Sequence, residues 1–285
     1  MKLPPFDWLP VKTVAECVDA LSANDSVESR IIAGGQSLLP LMALGMASPA
    51  LLIDVNGVEG LSEVIERENH IDIGALVRHR QLLAHADRIA DLRIVGTAAR
   101  HIGHVGIRNR GTLGGSLSHA DPASELPAIM LLLKASMVCE SKSGGVRTIP
   151  SDDFFLGPYT TSMHEHEMLT RIIVPRPVKT KFGFSELAAR HGDFATAGAA
   201  VAISYLEENR VGGLRAVIFA TSSRPMVVSV DVELPIGEKA NSVDWKVLAK
   251  SLSSAVPAGR KRELTRVMLG RAFLQADSMN AHVVH

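Results

Sequence analysis

RIIAGGQSLLPLMALGMASPALLIDV, residues 30–55, decides how the chain is read. Two apolar segments, Arg30–Ala33 and Leu51–Val55, have the length and composition of strands. Between them stands Gly34-Gly35-Gln36-Ser37, followed by a proline at position 40. Two successive residues without side chains let another group come close to the backbone N–H groups, and Ser37 adds a hydroxyl donor. A second segment, GTLGGS at Gly111–Ser116, repeats adjacent glycines followed by a serine. Either segment alone reads as a tight turn. Together they favour a cradle for a phosphate group, because enough oriented N–H dipoles hold an anion without Lys or Arg.

Other nucleotide and catalytic signatures are missing. The sequence has no GxxxxGK[ST], no GxGxxG between a strand and a helix, no GxSxG and no HExxH. His164–Glu167, HEHE, has metal-binding residue types but reads as a solvated turn. Asp121 and Glu125, in SHADPASELP, stand near the start of a helix. They suit capping charges or acceptors for sugar and polyol hydroxyls, and His119 reads as structural. No nucleophile–base pair stands out, so any chemistry would come from a cofactor.

Composition narrows the class further. The 285 residues are 46% hydrophobic and 21% charged, and 30 basic residues balance 30 acidic ones. No charge excess points to nucleic acid or an anionic membrane, and no apolar run is long enough to span one. With no hydrophobic signal core at the N-terminus, the expected location is cytoplasmic. Cys17 and Cys139, the two cysteines, cannot supply four thiolates to an iron–sulfur cluster, and both are expected in the core.

Along the chain, Thr13 to Glu16 reads as a capping box, opening a helix that buries Val14, Cys17, Val18 and Leu21. His70–Gly74 and Leu169–Val174 read as strands, the latter stopped by Pro175 and Pro177. Residues 136–150 read as a hairpin turning at Ser143–Gly145. Residues 105–135 begin as a Gly-rich loop and end as an apolar helix. The stretch 175–184 looks like a domain seam, with long strands beyond it and a final helix whose apolar stripe is Leu264, Val267, Met268 and Phe273. The class is α+β.

The two glycine segments, in this order, resemble the FAD-binding medium subunit of the molybdenum hydroxylases, the relatives of xanthine dehydrogenase and aerobic carbon monoxide dehydrogenase. The resemblance covers nearly the whole chain, from PPFDWLPVKTVAECVDALS through MLTRIIVPRP and RHGDFATAGAAVAI to GRKRELTRVMLGRAF. It implies a two-part FAD-binding domain of the PCMH/vanillyl-alcohol-oxidase type at 1–176, its parts at about 1–55 and 56–176, and a smaller α+β domain at 177–285 closing over the flavin. It implies that Ala33, Gly34, Gly35, Gln36 and Ser37 bind the pyrophosphate and that Thr112, Gly114, Gly115 and Ser116 form a second wall. Glu125 would meet the ribityl or adjacent hydroxyls, Leu169 would present a backbone group to the ring edge, and Asp193 and Phe194 would approach the ring. Many relatives have His where Gln36 stands and Tyr where Phe194 stands, so a chargeable group and a hydroxyl are absent here.

The implied function is an electron-transfer subunit, partnered by a small subunit with two [2Fe–2S] clusters and a large subunit with the molybdenum cofactor, in a heterotrimer or a dimer of heterotrimers. Two other readings fit the same cradle: a non-catalytic nucleotide- or phosphate-binding module, and a flavin oxidoreductase acting alone.

Overall fold

A computed structural model describes residues 3–23, 27–228 and 235–278. The first unit is a small parallel sheet: β1 (Asp7–Pro10), α1 (Val14–Ala23), β2 (Ser29–Ile32), α2 (Leu38–Ala43) and β3 (Leu51–Asp54), with strand order β1-β3-β2. Thr13 caps α1 by accepting from the Glu16 amide at 3.1 Å. The Glu16 carboxylate reaches one residue further back than a capping box requires, to the Lys12 amide at 2.7 Å. Cys17, Val18 and Leu21 pack against Ile53 and Val55 on one face, and Met42 packs with Ile32 and Leu52 on the other.

The second unit starts with β4 (Val64–Glu66) and β5 (His70–Gly74). Five helices then intervene: α3 (His79–Ala86), α4 (Arg93–Ala99), α5 (Val105–Arg110), α6 (Leu113–His119) and α7 (Glu125–Leu132). The chain returns through the hairpin β6 (Ser136–Ser141) and β7 (Gly145–Pro150), the single turn α8 (Ser151–Phe154), a small hairpin β8 (Phe155–Gly157) and β9 (Thr160–Thr161), and β10 (Met168–Pro175). The sheet order is β4-β5-β10-β6-β7, antiparallel throughout, so β10 inserts between β5 and β6. Pro175 extends β10 by pairing with His70, one residue past the expected stop.

The third unit is an antiparallel sheet: β11 (Thr180–Ala188), β12 (Ala195–Tyr205), β13 (Val211–Phe219) and β14 (Met226–Val227), followed by α9 (Trp245–Leu252) and α10 (Arg260–Ser278). Both faces of this sheet are covered. Ala200, Val217 and Phe219 share one apolar cluster with Leu126 and Ile129 of α7. Ala197, Ala199, Val201 and Ile203 join Trp245 and Phe273 on the opposite side. All eight residues of α7 are buried, seven of them apolar and so suited to burial on every side. At the seam, Arg176 pairs with Asp91 and Glu66 and donates to the Arg67 carbonyl at 2.9 Å.

Helix α10 is rotated from the sequence expectation. Its buried stripe is Thr265, Met268, Leu269, Ala272, Phe273 and Ala276, while Leu264 is half-buried and Val267 exposed. Thr265 fits the buried face because its hydroxyl is satisfied by the Lys261 carbonyl at 2.9 Å and by the Thr221 hydroxyl at 3.2 Å. The helix approaches β11 so closely that a Cβ on Gly183 would lie 1.9 Å from the Ala272 carbonyl oxygen. Gly183→Ala is therefore expected to push α10 off the sheet and to destabilise the chain by about 3 kcal/mol, measured as a lower urea midpoint.

Candidate cofactor site

The two glycine segments meet. A Cβ on Gly34 would fall 2.4 Å from the Arg110 carbonyl oxygen and 2.8 Å from the Gly111 Cα, so only glycine allows these backbones to touch. Gly35 follows with φ +70°, the left-handed conformation that turns the chain into α2. Among the described residues, no protein acceptor takes the amides of Gly34, Gly35, Gln36 or Ser37. The Gln36 side chain folds back on its own loop, donating to the Gly34 carbonyl at 3.0 Å.

GTLGGS is not a loop. Thr112 is the N-cap of α6, its hydroxyl accepting from the Gly115 amide at 3.0 Å, and both glycines lie in the first turn. The Gly114 amide is also engaged, donating to the Ala75 carbonyl at 2.8 Å, and the Leu113 amide donates to the Val77 carbonyl at 2.9 Å. Gly114 is needed for close packing, since a Cβ there would stand 2.6 Å from the Ala75 Cβ. The two segments thus contribute differently: Gly34 to Ser37 offer open N–H groups, whereas Gly114 uses its own to seat α6 against Ala75 and Gly115 uses its own in the cap of that helix.

Leu169 is tied into the same construction. The ladder between β10 and β6 shifts register between Leu169 and Arg171. Within this irregularity the Thr170 carbonyl accepts from the Ala75 amide at 2.9 Å, and Ala75 in turn accepts from Gly114. Asp193 and Phe194 lie in the β11–β12 turn. Gly192 in that turn approaches the Gly103 carbonyl two residues ahead of α5, and α5 ends at the Arg110–Gly111 wall. Phe194 is 72% exposed.

Glu125 opens α7 and is buried. Burial, with Glu186 of β11 and Asp121 adding like charge, pushes its carboxyl up to about 8, so it carries a proton at neutral pH. Asp121 shapes the preceding turn, accepting from the Ala123 amide at 2.8 Å. His119 packs its ring against Tyr159 with centroids 5.0 Å apart. In HEHE only Glu167 is buried, and it anchors Arg147 at 2.6 and 2.7 Å and the His164 amide at 2.7 Å. Among the described residues no group of His, Cys, Asp and Glu side chains is placed to hold a metal ion, and no helix is long and apolar enough to cross a membrane.

Several residues at the site escaped the sequence reading. Asn56 donates to the Ala33 carbonyl at 2.9 Å, and Arg78 bridges Asn56 to the Arg110 carbonyl. His79 is buried, with Nε2 3.0 Å from the Thr112 carbonyl oxygen, and burial pulls its imidazole down to about 4. Its neutral ring therefore donates there and braces the second wall. The available sign was VRHR itself, whose arginines have no acidic partner at helical spacing.

The Glu125 carboxyl makes stability pH-dependent in a defined direction. A folded value above the unfolded one means that the folded chain holds the extra proton, so stability is lost as pH rises from about 4.5 through about 8. Glu125→Gln is expected to raise the melting temperature of the cofactor-free chain by about 3 °C at pH 8 and to leave it unchanged near pH 4. Thermal unfolding across that range reads the difference.

Residues 4–177 match the family described as FAD binding domain in molybdopterin dehydrogenase. The chain is 39% identical over 216 residues to the nicotine 6-hydroxylase medium subunit of Paenarthrobacter nicotinovorans, covering 75% of this chain and 74% of that one. It is 31% identical to the caffeine dehydrogenase subunit beta of Pseudomonas sp. strain CBB1, covering 99% and 98%. Among solved structures it superposes with a TM-score of 0.91 and 30% identity on a chain of carbon monoxide dehydrogenase from Hydrogenophaga pseudoflava, covering 98% and 99%. Quinoline 2-oxidoreductase from Pseudomonas putida 86 gives 0.89 at 29% identity, covering 99% and 100%. An α+β fold shared over its full length, and a profile match across both glycine segments, place this chain in the FAD-binding medium-subunit family of the molybdenum hydroxylases, as an oxidoreductase subunit whose cofactor is FAD.

Proposed function

We propose that the chain is the electron-transfer subunit of a cytoplasmic molybdenum hydroxylase. In this reading it takes electrons from the [2Fe–2S] clusters of a small partner subunit and delivers them to an external acceptor. A large partner subunit holds the molybdenum cofactor and acts on the substrate, within a heterotrimer or a dimer of heterotrimers. The relatives' names, medium subunit and subunit beta, support an assembly of several chains. Cys17 and Cys139 support the division of labour: both thiols are buried, and burial pushes each up to about 12, far from the thiolate that binds iron.

The observation that carries the reading is the row of open amides from Gly34 to Ser37 set against the Arg110–Gly111 backbone. These N–H groups and the Ser37 hydroxyl fit a diphosphate, with Ala33 fixing the start of the loop. Thr112, Gly114, Gly115 and Ser116 shape the opposite wall through the position of α6. Glu125, protonated, both donates to and accepts from a sugar or ribityl hydroxyl. At the β10 irregularity Leu169 adjoins the Thr170–Ala75–Gly114 run of hydrogen bonds, where a backbone group would meet a ring edge, and Asp193 and Phe194 follow Gly192, which abuts the Gly103 carbonyl ahead of α5. Bound FAD supplies a redox couple that exchanges electrons singly or in pairs. The protein's part is to bind, orient and shield it, with residues 1–176 forming the flavin domain and residues 177–285 closing over it.

Gly34→Ala forces the two backbones apart, and FAD affinity is expected to fall by about 100-fold, measured by fluorescence titration of the cofactor-free chain. Wild-type affinity in this variant would show that the diphosphate lies elsewhere. For the assembly, purification from the native host is expected to bring down two further chains carrying iron and molybdenum. The isolated chain is expected to hold flavin without hydroxylating a heterocycle, and substrate turnover by the isolated chain would overturn the role.

A further inference from the structure

A cation joins His79 in bracing the wall that closes on Gly34. Arg78 stands at the N-cap of α3, four residues past β5, and forms an isolated bridge with Thr112. Its Nη1 donates to the Arg110 carbonyl, the same oxygen that Gly34 abuts. Its Nη2 donates to the Asn56 Oδ1 at 2.5 Å, and the Asn56 amide donates to the Ala33 carbonyl at 2.9 Å. One guanidinium thus ties the open-amide loop to the opposite wall through a single intermediary.

The charge at this point is only partly offset. Arg78 is half-buried, and burial together with the neighbouring Arg110 and Arg80 lowers its pKa. Asp54 is the carboxylate that opposes this, and the Asn56 backbone and side-chain amides already occupy it at 3.0 and 2.5 Å. Among the described residues Arg78, Arg80 and Arg110 form no ion pair with an acidic side chain. A half-buried arginine flanked by two exposed ones, beside four amides without acceptors, makes a site that suits an anion of more than one charge. Arg78 has five N–H donors and spends two within the protein.

We infer that Arg78 is a positioning residue for the cofactor: through Asn56 and the Arg110 carbonyl it sets the spacing of the two walls, and its charge selects a diphosphate-bearing flavin. The inference rests on the cradle reading above and assigns the electrostatic part of binding to a residue outside both glycine segments.

FAD affinity of the cofactor-free chain, titrated at low and high salt for wild type, Arg78→Met and Arg78→Lys, tests it. Arg78→Met is expected to weaken FAD binding between about 10- and 100-fold and to flatten its salt dependence, since the screened charge is gone. Arg78→Lys is expected to keep the salt dependence and lose part of the affinity, because an ammonium cannot make both fixed contacts. Melting of the FAD-free variants separates lost charge from lost folding. Arg78→Met with wild-type affinity and salt dependence overturns the inference, as does equal loss in both variants accompanied by equal loss of melting temperature. Failure of the wild-type chain to bind FAD would instead sink the cradle reading itself.

Discussion

The contact between the Gly34 Cα and the Arg110 carbonyl is the constraint on which the site depends. Two segments 76 positions apart in sequence touch through bare backbone. Any side chain at residue 34 would hold them apart. Hydrogen bonds from Asn56, Arg78 and His79 hold the contact at a spacing that van der Waals attraction alone would leave soft. The loop keeps its N–H groups uncommitted because carbonyls on neighbouring segments, and not those amides, take the bracing bonds.

The second wall is rigid for a different reason. The Gly114 amide bonds to Ala75, and the Ala75 amide bonds to Thr170, so α6, β5 and β10 form one continuous run of backbone hydrogen bonds. A register irregularity in β10 lies at one end of that run and the cap of α6 at the other. The third unit enters through α7, whose apolar surface is shared by the helical layer and the third sheet. Glu125 stands where α7 begins and faces Glu186 of β11, so its burial depends on the two units being docked.

Much of this was legible in the sequence. Strand His70–Gly74, the hairpin around Gly144, the opening helix and the α+β class follow from periodicity and turn residues. The pair of glycine segments also pointed to a common cavity. Legibility ended where side chains act at long range. GTLGGS read as a loop because two glycines weigh against a helix, yet Thr112 caps one there and Ala75 packs against it. The phase of α10 was misread because Thr265 counts as polar until its two hydrogen bonds are seen. Arg78 and Asn56 take partners 32 and 23 positions away, a separation that unpaired arginines in VRHR hint at without naming the partners.

The fully buried helix α7 has a consequence for how the chain is made. It emerges from the ribosome before the strands that cover it, which lie more than 60 residues downstream. Until β12 and β13 are synthesised, Leu126 to Leu132 have no permanent cover on that side. A nascent chain of this design spends seconds with a greasy rod exposed, at about 5–20 residues translated per second. Cutting the chain after residue 176 would leave that face of α7 bare, so synthesis of the third sheet completes the burial that the earlier residues begin.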